Sequence, residues 1–326
     1  MPIPLFLSVG YRIRFKRTRP HSADHLRLPQ RILVEHGEAM GKESQQTSKK
    51  KPSRKRPARS EFVYDKHICY QQSVQNTEHE VQFIHRVYRR LAGRPALRLR
   101  EDFCGTALLS CDWVEYRKDR EAVGVDLDSK VLAWGQKHNV LQLPETSRSR
   151  IRLVHGDVRD AAEGLFDVVT AYNYSYFVFK TRAEMRAYFA LVHSALAQDG
   201  VFFLDAYGGY EAQTPMTEQR AVPLGKEKFT YIWEQALFNP IDNHVVNYIH
   251  FRSPDGTLHK RAFTYDWRLW QLVELREILA EVGFARIETY WETEDEEGNP
   301  TGTFRKATRA EPDPGWNAYL VASKRS

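Results

Sequence analysis

Cysteine is scarce in this chain: Cys69, Cys104 and Cys111 are the only three in 326 residues. So small and odd a number rules out a disulfide framework, and no pair has C-x-x-C or zinc-ligand spacing. A reduced, cytoplasmic protein without a bound metal is the expectation. Long apolar runs are missing too, so no segment offers the ~20 residues a bilayer-spanning helix needs. The pattern G-x-G-x-x-G, whose glycines admit a pyrophosphate to a helix start, occurs nowhere and counts against a nicotinamide enzyme. A secretory signal is also lacking. Pro2 and Pro4 break the apolar start, and Arg12, Arg14, Lys16, Arg17 and Arg19 follow it instead of preceding it. An Arg-rich organelle presequence is the alternative reading of that stretch.

Acidic residues are rare in one part only. Residues 1–60 hold 15 of the 48 Lys and Arg but 4 of the 42 Asp and Glu, so the remainder is mildly acidic although the whole carries +6. The basic character belongs to an arm. Residues 41–60 have no large apolar side chains to offset the entropy of ordering, and the arm at 1–60 is expected to be disordered. Its simplest role is a solubilising tail. The sharper one is a tether to RNA or a charged surface through Lys and Arg at 42–59. Met40 opens directly onto this polar stretch, so initiation at Met40 is a rival start; native peptides from upstream would remove it.

A domain is expected over 61–326. Thr77-Glu78-His79-Glu80 has the form of a capping box, followed by Val81, Ile84, Val87 and Leu91 at helical spacing and Gly93 as a stop. Strand patterns at 96–101, 122–126, 151–155, 166–171 and 201–206 then alternate with helical ones at 107–116, 129–139 and 183–197. That alternation predicts a mostly parallel sheet with helices on both faces. Beyond Tyr207, the segments at 229–237, 245–251 and 260–266 alternate polar and apolar residues. Ser253-Pro254-Asp255-Gly256 forms a hairpin turn between the last two. An antiparallel insertion over about 215–267 is expected, then a helix at 269–282 and closing strands at 285–290 and 317–322.

In such a sheet ligands bind outside the carboxyl ends of the strands, near the switch in strand order. The first strand runs into Glu101-Asp102-Phe103-Cys104-Gly105-Thr106-Ala107 and a helix begins at once. The second ends in Asp126-Leu127-Asp128, where Asp126 is placed to accept from ribose hydroxyls and Asp128 to cap the next helix. The third ends in Gly156-Asp157-Val158, where a carboxylate can accept from an adenine amino group. Each acid alone has a capping residue as its plain alternative. In sequential order on three strands they specify an adenosine pocket.

These segments resemble the class I, Rossmann-like methyltransferases that use S-adenosyl-L-methionine. Residues 99–107 match that family's first motif, Asp126 its ribose-binding acid, 156–158 its adenine-side motif and 166–173 its fourth-strand motif. The string Arg-Glu-Asp-Phe-Cys-Gly-Thr-Ala is similar to a poorly characterised subgroup. So are Tyr70-Gln71-Gln72-Ser73-Val74-Gln75 and Asp205-Ala206-Tyr207-Gly208-Gly209. The resemblance covers roughly 62–323 and implies a seven-stranded sheet with the antiparallel insertion after the fifth strand. It departs from the family pattern where Phe103 and Ala107 replace usual glycines. The fourth strand also ends in Ala171-Tyr172-Asn173-Tyr174 instead of Asn/Asp-Pro-Pro-Tyr. The donor has no pyrophosphate, so the missing G-x-G-x-x-G is no obstacle.

The resemblance implies donor contacts from Tyr70, Gln75, Glu101, Phe103, Cys104, Gly105, Thr106, Asp126, Leu127, Gly156, Asp157, Val158 and Asn173. Glu101 would hold the methionine ammonium or orient the turn, and Tyr70, Gln71 and Gln75 would form a lid unless they belong to a surface helix. Asn173 and Tyr174 would border the methyl. His250 and Glu234 are candidate bases in the insertion, with a solvent-facing strand position as the plain alternative. Tyr207, Trp233, Tyr248, Trp267, Trp270, Trp291 and Trp316 read as core, or as the walls of an acceptor pocket. Period-2 geometry puts Tyr248 and His250 on one face and Asn247 and Ile249 on the other. The expected function is methyl transfer to a small molecule. An arm-tethered RNA or protein methyltransferase and a non-catalytic donor-binding protein are the alternatives.

Overall fold

Seven helices and twelve strands are built by residues 62–160, 164–296 and 300–325, which the computed structural model describes. The basic arm expected at 1–60 lies outside the described residues. In chain order come α1 (Lys66–Val74), α2 (Thr77–Ala92), β1 (Arg98–Asp102), α3 (Leu108–Tyr116), β2 (Glu121–Asp126) and α4 (Ser129–His138). Then follow α5 (Glu145–Arg148), β3 (Ile151–His155), β4 (Phe166–Ala171), α6 (Arg182–Ala195) and β5 (Leu196–Gly208). The insertion contributes β6 (Met216–Leu224), β7 (Glu227–Asn239), β8 (His244–Arg252) and β9 (Leu258–Arg268). The chain closes with α7 (Leu272–Glu281), β10 (Arg286–Glu294), β11 (Pro300–Ala307) and β12 (Trp316–Ser323).

The main sheet has the order β11-β10-β12-β5-β4-β1-β2-β3. Strands β1 to β5 pair in parallel, whereas β12, β10 and β11 add on antiparallel. The sheet thus has eight strands where seven were expected. The extra strand, β11, carries Pro300 and Gly302 in a charged stretch that reads as a loop from sequence alone. Strand order reverses between β1 and β4, which sets the ligand crevice at their carboxyl ends.

Helices cover both faces, and β5 shows why. Val201 and Phe203 join Phe83, Ile84, Val87 and Trp113 of α2 and α3 on one face. Phe202 and Leu204 join Met185, Phe189, Leu275 and Ile278 of α6 and α7 on the other. A strand buried on both sides reads as a continuous apolar run, which made β4 and β5 easy to locate.

Local signals act as expected at several ends. Gly93 closes α2 in the left-handed region (φ 73°), and Asp128 caps α4 by accepting from the backbone N–H of Lys130 and Val131. The capping box expected at Thr77–Glu80 is absent. Thr77 is already helical, its hydroxyl donates to Asp112, and Glu80 does not reach back to the cap. Thr181 and Glu184 form such a box instead, at the start of α6.

The insertion, expected at about 215–267, is an antiparallel sheet in the order β6-β7-β8-β9. Its hairpin closes at Gly256 (φ 90°), whose N–H donates to Ser253 O. Trp233, Val245, Ile249, Phe251 and Trp267 share one face and pack into the same core as Phe177 and Tyr207 of the main domain.

Candidate active site

The Arg100-Glu101-Asp102 string splits across the sheet because side chains alternate along β1. Glu101 turns to the α2/α3 face, where its Oε2 accepts from the backbone N–H and hydroxyl of Ser110 at 3.0 and 2.5 Å. It therefore orients the start of α3. Arg100 and Asp102 turn to the other face as a buried ion pair, Nε to Oδ1 2.6 Å. Arg100 Nη2 also donates to Val158 O at 2.6 Å, and Tyr188 Oη donates to Asp102. The first strand thus braces the third-strand loop from beneath. Alternation alone would have flagged this pair.

The turn after β1 is wound by three left-handed residues: Phe103 (φ 57°), Gly105 (φ 53°) and Ala107 (φ 56°). Two are not glycine, and such positions typically cost about 1–3 kcal/mol each. The Phe103 ring packs against Phe179 and Tyr188, and Cys104 is buried with Ala107 and Leu132. Both side chains are structural, which leaves their backbones to border the crevice. A Cβ at Gly105 would meet nothing within 4 Å, so the turn opens outward there.

Asp126 ties the turn to the second strand. Its Oδ2 accepts from Gly105 N at 2.7 Å and its Oδ1 from Asp128 N at 2.9 Å. A carboxylate offers about four acceptor sites, so two bonds leave room for ribose hydroxyls. Gly156 N donates to Asp126 O at 3.0 Å, joining the third loop to this group. Asp157 is engaged by Arg159, Nη2 to Oδ2 2.6 Å, and Leu127 is exposed.

The fourth-strand turn holds two consecutive left-handed residues, Asn173 and Tyr174, both at φ 57°. Asp205 at the end of β5 stabilises them, accepting Asn173 N and Tyr174 N at 2.9 Å each. The Tyr174 hydroxyl donates to Asn317 Oδ1 at 2.8 Å. Its ring lies 4.7 Å from that of Tyr207 and 6.3 Å from that of Trp267. Asp205 stood in the sequence only inside a resemblance string; its clamping role needs the β4–β5 adjacency.

The insertion roofs this turn with one face. Asn247 Nδ2 donates to the Tyr207 hydroxyl at 3.2 Å, and the Tyr265 ring lies 4.3 Å from that of Trp267, tilted by 31°. Tyr248 and His250 share the opposite face, away from the turn, which removes His250 from its expected catalytic place. His250 Nε2 lies 2.8 Å from Glu234 Oε2, His250 Nδ1 accepts from Arg261 N, and Arg261 covers the Tyr248 ring. Neither His250 nor Glu234 is a base for this site. Trp291 and Trp316 pack against each other with ring centres 5.0 Å apart, and Trp270 is buried with its indole N–H on Phe179 O.

Helix α1 lies between the donor turn and the roof. Gln71 Nε2 donates to Thr106 Oγ1 at 2.8 Å, Tyr70 hydrogen-bonds Tyr265, and its ring is 4.7 Å from Phe263. Gln75 Oε1 is buried with no hydrogen-bond partner.

The crevice is lined by carboxyls held above their usual range. Burial, with smaller contributions from Asp126 and Asp112, pushes the Glu101 carboxyl up to about 8 against its Ser110 hydrogen bonds. Burial likewise raises Asp205 to about 7, and Asp126 is also raised. S-adenosyl-L-methionine brings a sulfonium and an ammonium, the charges that ionised acids there would bind. The open Gly105 turn, the spare Asp126 acceptor sites and the orphaned Gln75 Oε1 all fit that molecule. No group of three or more His, Cys, Asp or Glu is placed to hold a metal ion among the described residues.

Residues 102–204 match the profile of a family described as a methyltransferase domain. No curated protein matches the sequence. Solved structures share the fold. CalS10, an amino pentose methyltransferase from Micromonospora echinaspora, is 18% identical with a TM-score of 0.56, covering 81% of this chain and 99% of that one. The CcbJ methyltransferase from Streptomyces caelestis is 15% identical with a TM-score of 0.57, covering 81% and 100%. The sugar N-methyltransferase KedS8 from Streptoalloteichus sp ATCC 53650 is 16% identical with a TM-score of 0.55, covering 82% and 98%. Over residues 102–204 the chain thus carries a methyltransferase domain, and its fold is that of solved S-adenosylmethionine-dependent methyltransferases.

Proposed function

We propose that the protein transfers the methyl group of S-adenosyl-L-methionine to a small molecule held between the Asn173–Tyr174 turn and the inner face of the insertion. The observation that carries this reading is Tyr174, set by Asp205 under Tyr207 and Trp267. A second sheet covers the turn, and a covered turn suits a small acceptor better than a macromolecule. That CalS10 and KedS8 are described as sugar methyltransferases supports the same class.

The donor supplies an already activated methyl on a sulfonium. This chain's residues have mainly to bind and align it. In this reading Glu101, Gly105 and Thr106 take the methionine end and Asp126 the ribose. Asp157 and Val158 border the adenine, and Tyr70, Gln71 and Gln75 cover the whole. Asn173 borders the methyl.

Calorimetric titration tests the donor half: S-adenosylmethionine should bind at one site and NAD should not. Asp126→Ala should weaken donor binding roughly ten- to a hundredfold, the worth of lost bonds to a charged group. The rival reading is an RNA methyltransferase tethered through residues 42–59. Salt-sensitive RNA binding by the full chain together with methylation of that RNA would establish the rival in its place.

A further inference from the structure

Several polar groups at the acceptor end have no place in donor binding. Glu80, in the first turn of α2, is only 9% exposed, and no side chain among the described residues donates to its carboxylate. Tyr172, directly before the Asn173 turn, is 5% exposed, and its hydroxyl is buried without a partner. Its ring lies 5.4 Å from that of Tyr319, which pairs across the sheet with Asp205. Register places Glu101, Tyr172, Asp205 and Tyr319 on the α2 face, since Glu101 pairs with Thr170 and Thr170 with Phe203.

The charged groups that bear on Glu80 are all acidic. Asp205 of β5, Glu101 of β1 and Asp112 of α3 each raise its pKa, after burial as the main cause, and Glu80 in turn raises the hydroxyls of Tyr172 and Tyr319. A buried acid without a cation is costly, and such a site is complementary to a positive charge. Flanking rings favour the same charge. The donor's own acids, Glu101 and Asp126, stand over β1 and β2. The Glu80 cluster extends beyond the switch point to β4, β5 and β12.

We propose that Glu80 and Tyr172 form the acceptor subsite and that the acceptor is a small-molecule amine. The proposal rests on the methyltransferase reading and narrows its substrate. The amine arrives as an ammonium between Glu80 and the Tyr172 hydroxyl, and its charge drives Glu80 to the carboxylate form, the displaced proton leaving to water. It gives one proton to Glu80, which becomes the neutral acid and frees the nitrogen lone pair. That pair forms the new N–CH3 bond while the S–CH3 bond breaks and its electrons stay on sulfur. The positive charge passes to the methylated ammonium, and Glu80 keeps its proton as the resting neutral acid on product release. Tyr172 accepts or donates a hydrogen bond at the nitrogen or a neighbouring hydroxyl.

The test uses the full chain, methyl-labelled S-adenosylmethionine and a small-molecule extract of cells expressing the protein, with labelled products sorted by the atom methylated. N-methyl products are expected. Label confined to oxygen, sulfur or carbon would overturn the amine assignment and leave the methyltransferase standing. Failure of the donor to bind, or of label to move at all, would overturn the reading beneath it.

Glu80→Gln, which removes a buried charge and keeps the shape, should lower kcat at least a hundredfold, within the usual range for a lost proton acceptor. Donor Kd should stay within about twofold and thermal stability should not fall. Tyr172→Phe should raise the acceptor KM severalfold. Glu80→Gln with unchanged kcat, or with donor Kd raised tenfold, would place Glu80 outside the acceptor subsite.

Discussion

Gly135 of α4 lies so close to Thr106 that a Cβ on it would sit 2.4 Å from the Thr106 carbonyl oxygen. The same oxygen accepts from Asn139 Nδ2 at 2.8 Å. Helix α4 therefore sets the position of the donor turn by contact. Gly135→Ala should destabilise the fold by about 1–3 kcal/mol through overpacking and weaken donor binding by displacing Thr106. Gly156→Ala, whose Cβ would meet nothing within 4 Å, should leave the unfolding midpoint unchanged. Urea melts with and without S-adenosylmethionine would decide it.

The Arg100–Asp102 pair gives a second expectation. Removing one member of a buried ion pair commonly costs about 3–5 kcal/mol. Burial already holds Asp102 up at about 6 despite Arg100, and without that partner it rises further. A carboxyl with a raised folded pKa binds its proton more tightly when folded, so stability falls as pH rises from about 4. The penalty of Arg100→Met should accordingly be smaller at pH 5.5 than at pH 8. Equal penalties at both would show that the charge of Asp102 does not set the cost.

Donor binding should release protons. Glu101, at about 8, retains its proton near neutrality in the unliganded fold. A bound cation favours its ionised form, so affinity should rise between pH 6 and 8.5, by up to tenfold per pH unit. Titrations at pH 7 in buffers of different ionisation enthalpy would count the protons. The unliganded protein should show the opposite trend, losing stability as pH rises from about 4.5 to 8.

Asp205→Asn should act on rate and not on donor affinity. The amide can still accept through one oxygen, but not from Asn173 N and Tyr174 N with two. A turn misplaced by an ångström can cost about a hundredfold in rate. Methyl transfer should fall by that order with donor Kd within about twofold. A large loss of donor binding would move Asp205 from the acceptor side to the donor side.

In the parallel half of the sheet β2, β4 and β5 were legible as short stretches rich in apolar residues, whereas the charged β1 was marked by the acids and the glycine-bearing turn at its end. β6 was not read as a strand, since it is a half-exposed edge carrying Pro223, and β11 hid in a charged, Gly- and Pro-containing stretch. Gln71 and Gly135 matter through contacts with Thr106 that local sequence cannot display. Glu80 was misread because a Thr three residues before a Glu satisfies the capping-box rule wherever it occurs. The pairing of Tyr248 with His250 followed from period 2, but which face meets the turn depends on how the insertion docks, and Asn247 on Tyr207 decides it.

The eighth strand bears on aggregation. Without β11 the sheet would end at β10, whose Tyr290 and Glu292 are buried and whose open backbone would invite another chain to pair with it. β11 takes that edge position with Pro300 at its start, a left-handed Gly302 and a register shift opposite Glu292 and Glu294. Arg305 and Lys306 add charge along it. Such an edge resists recruitment into intermolecular sheets, so deleting 296–308 should damage colloidal behaviour before it damages donor binding.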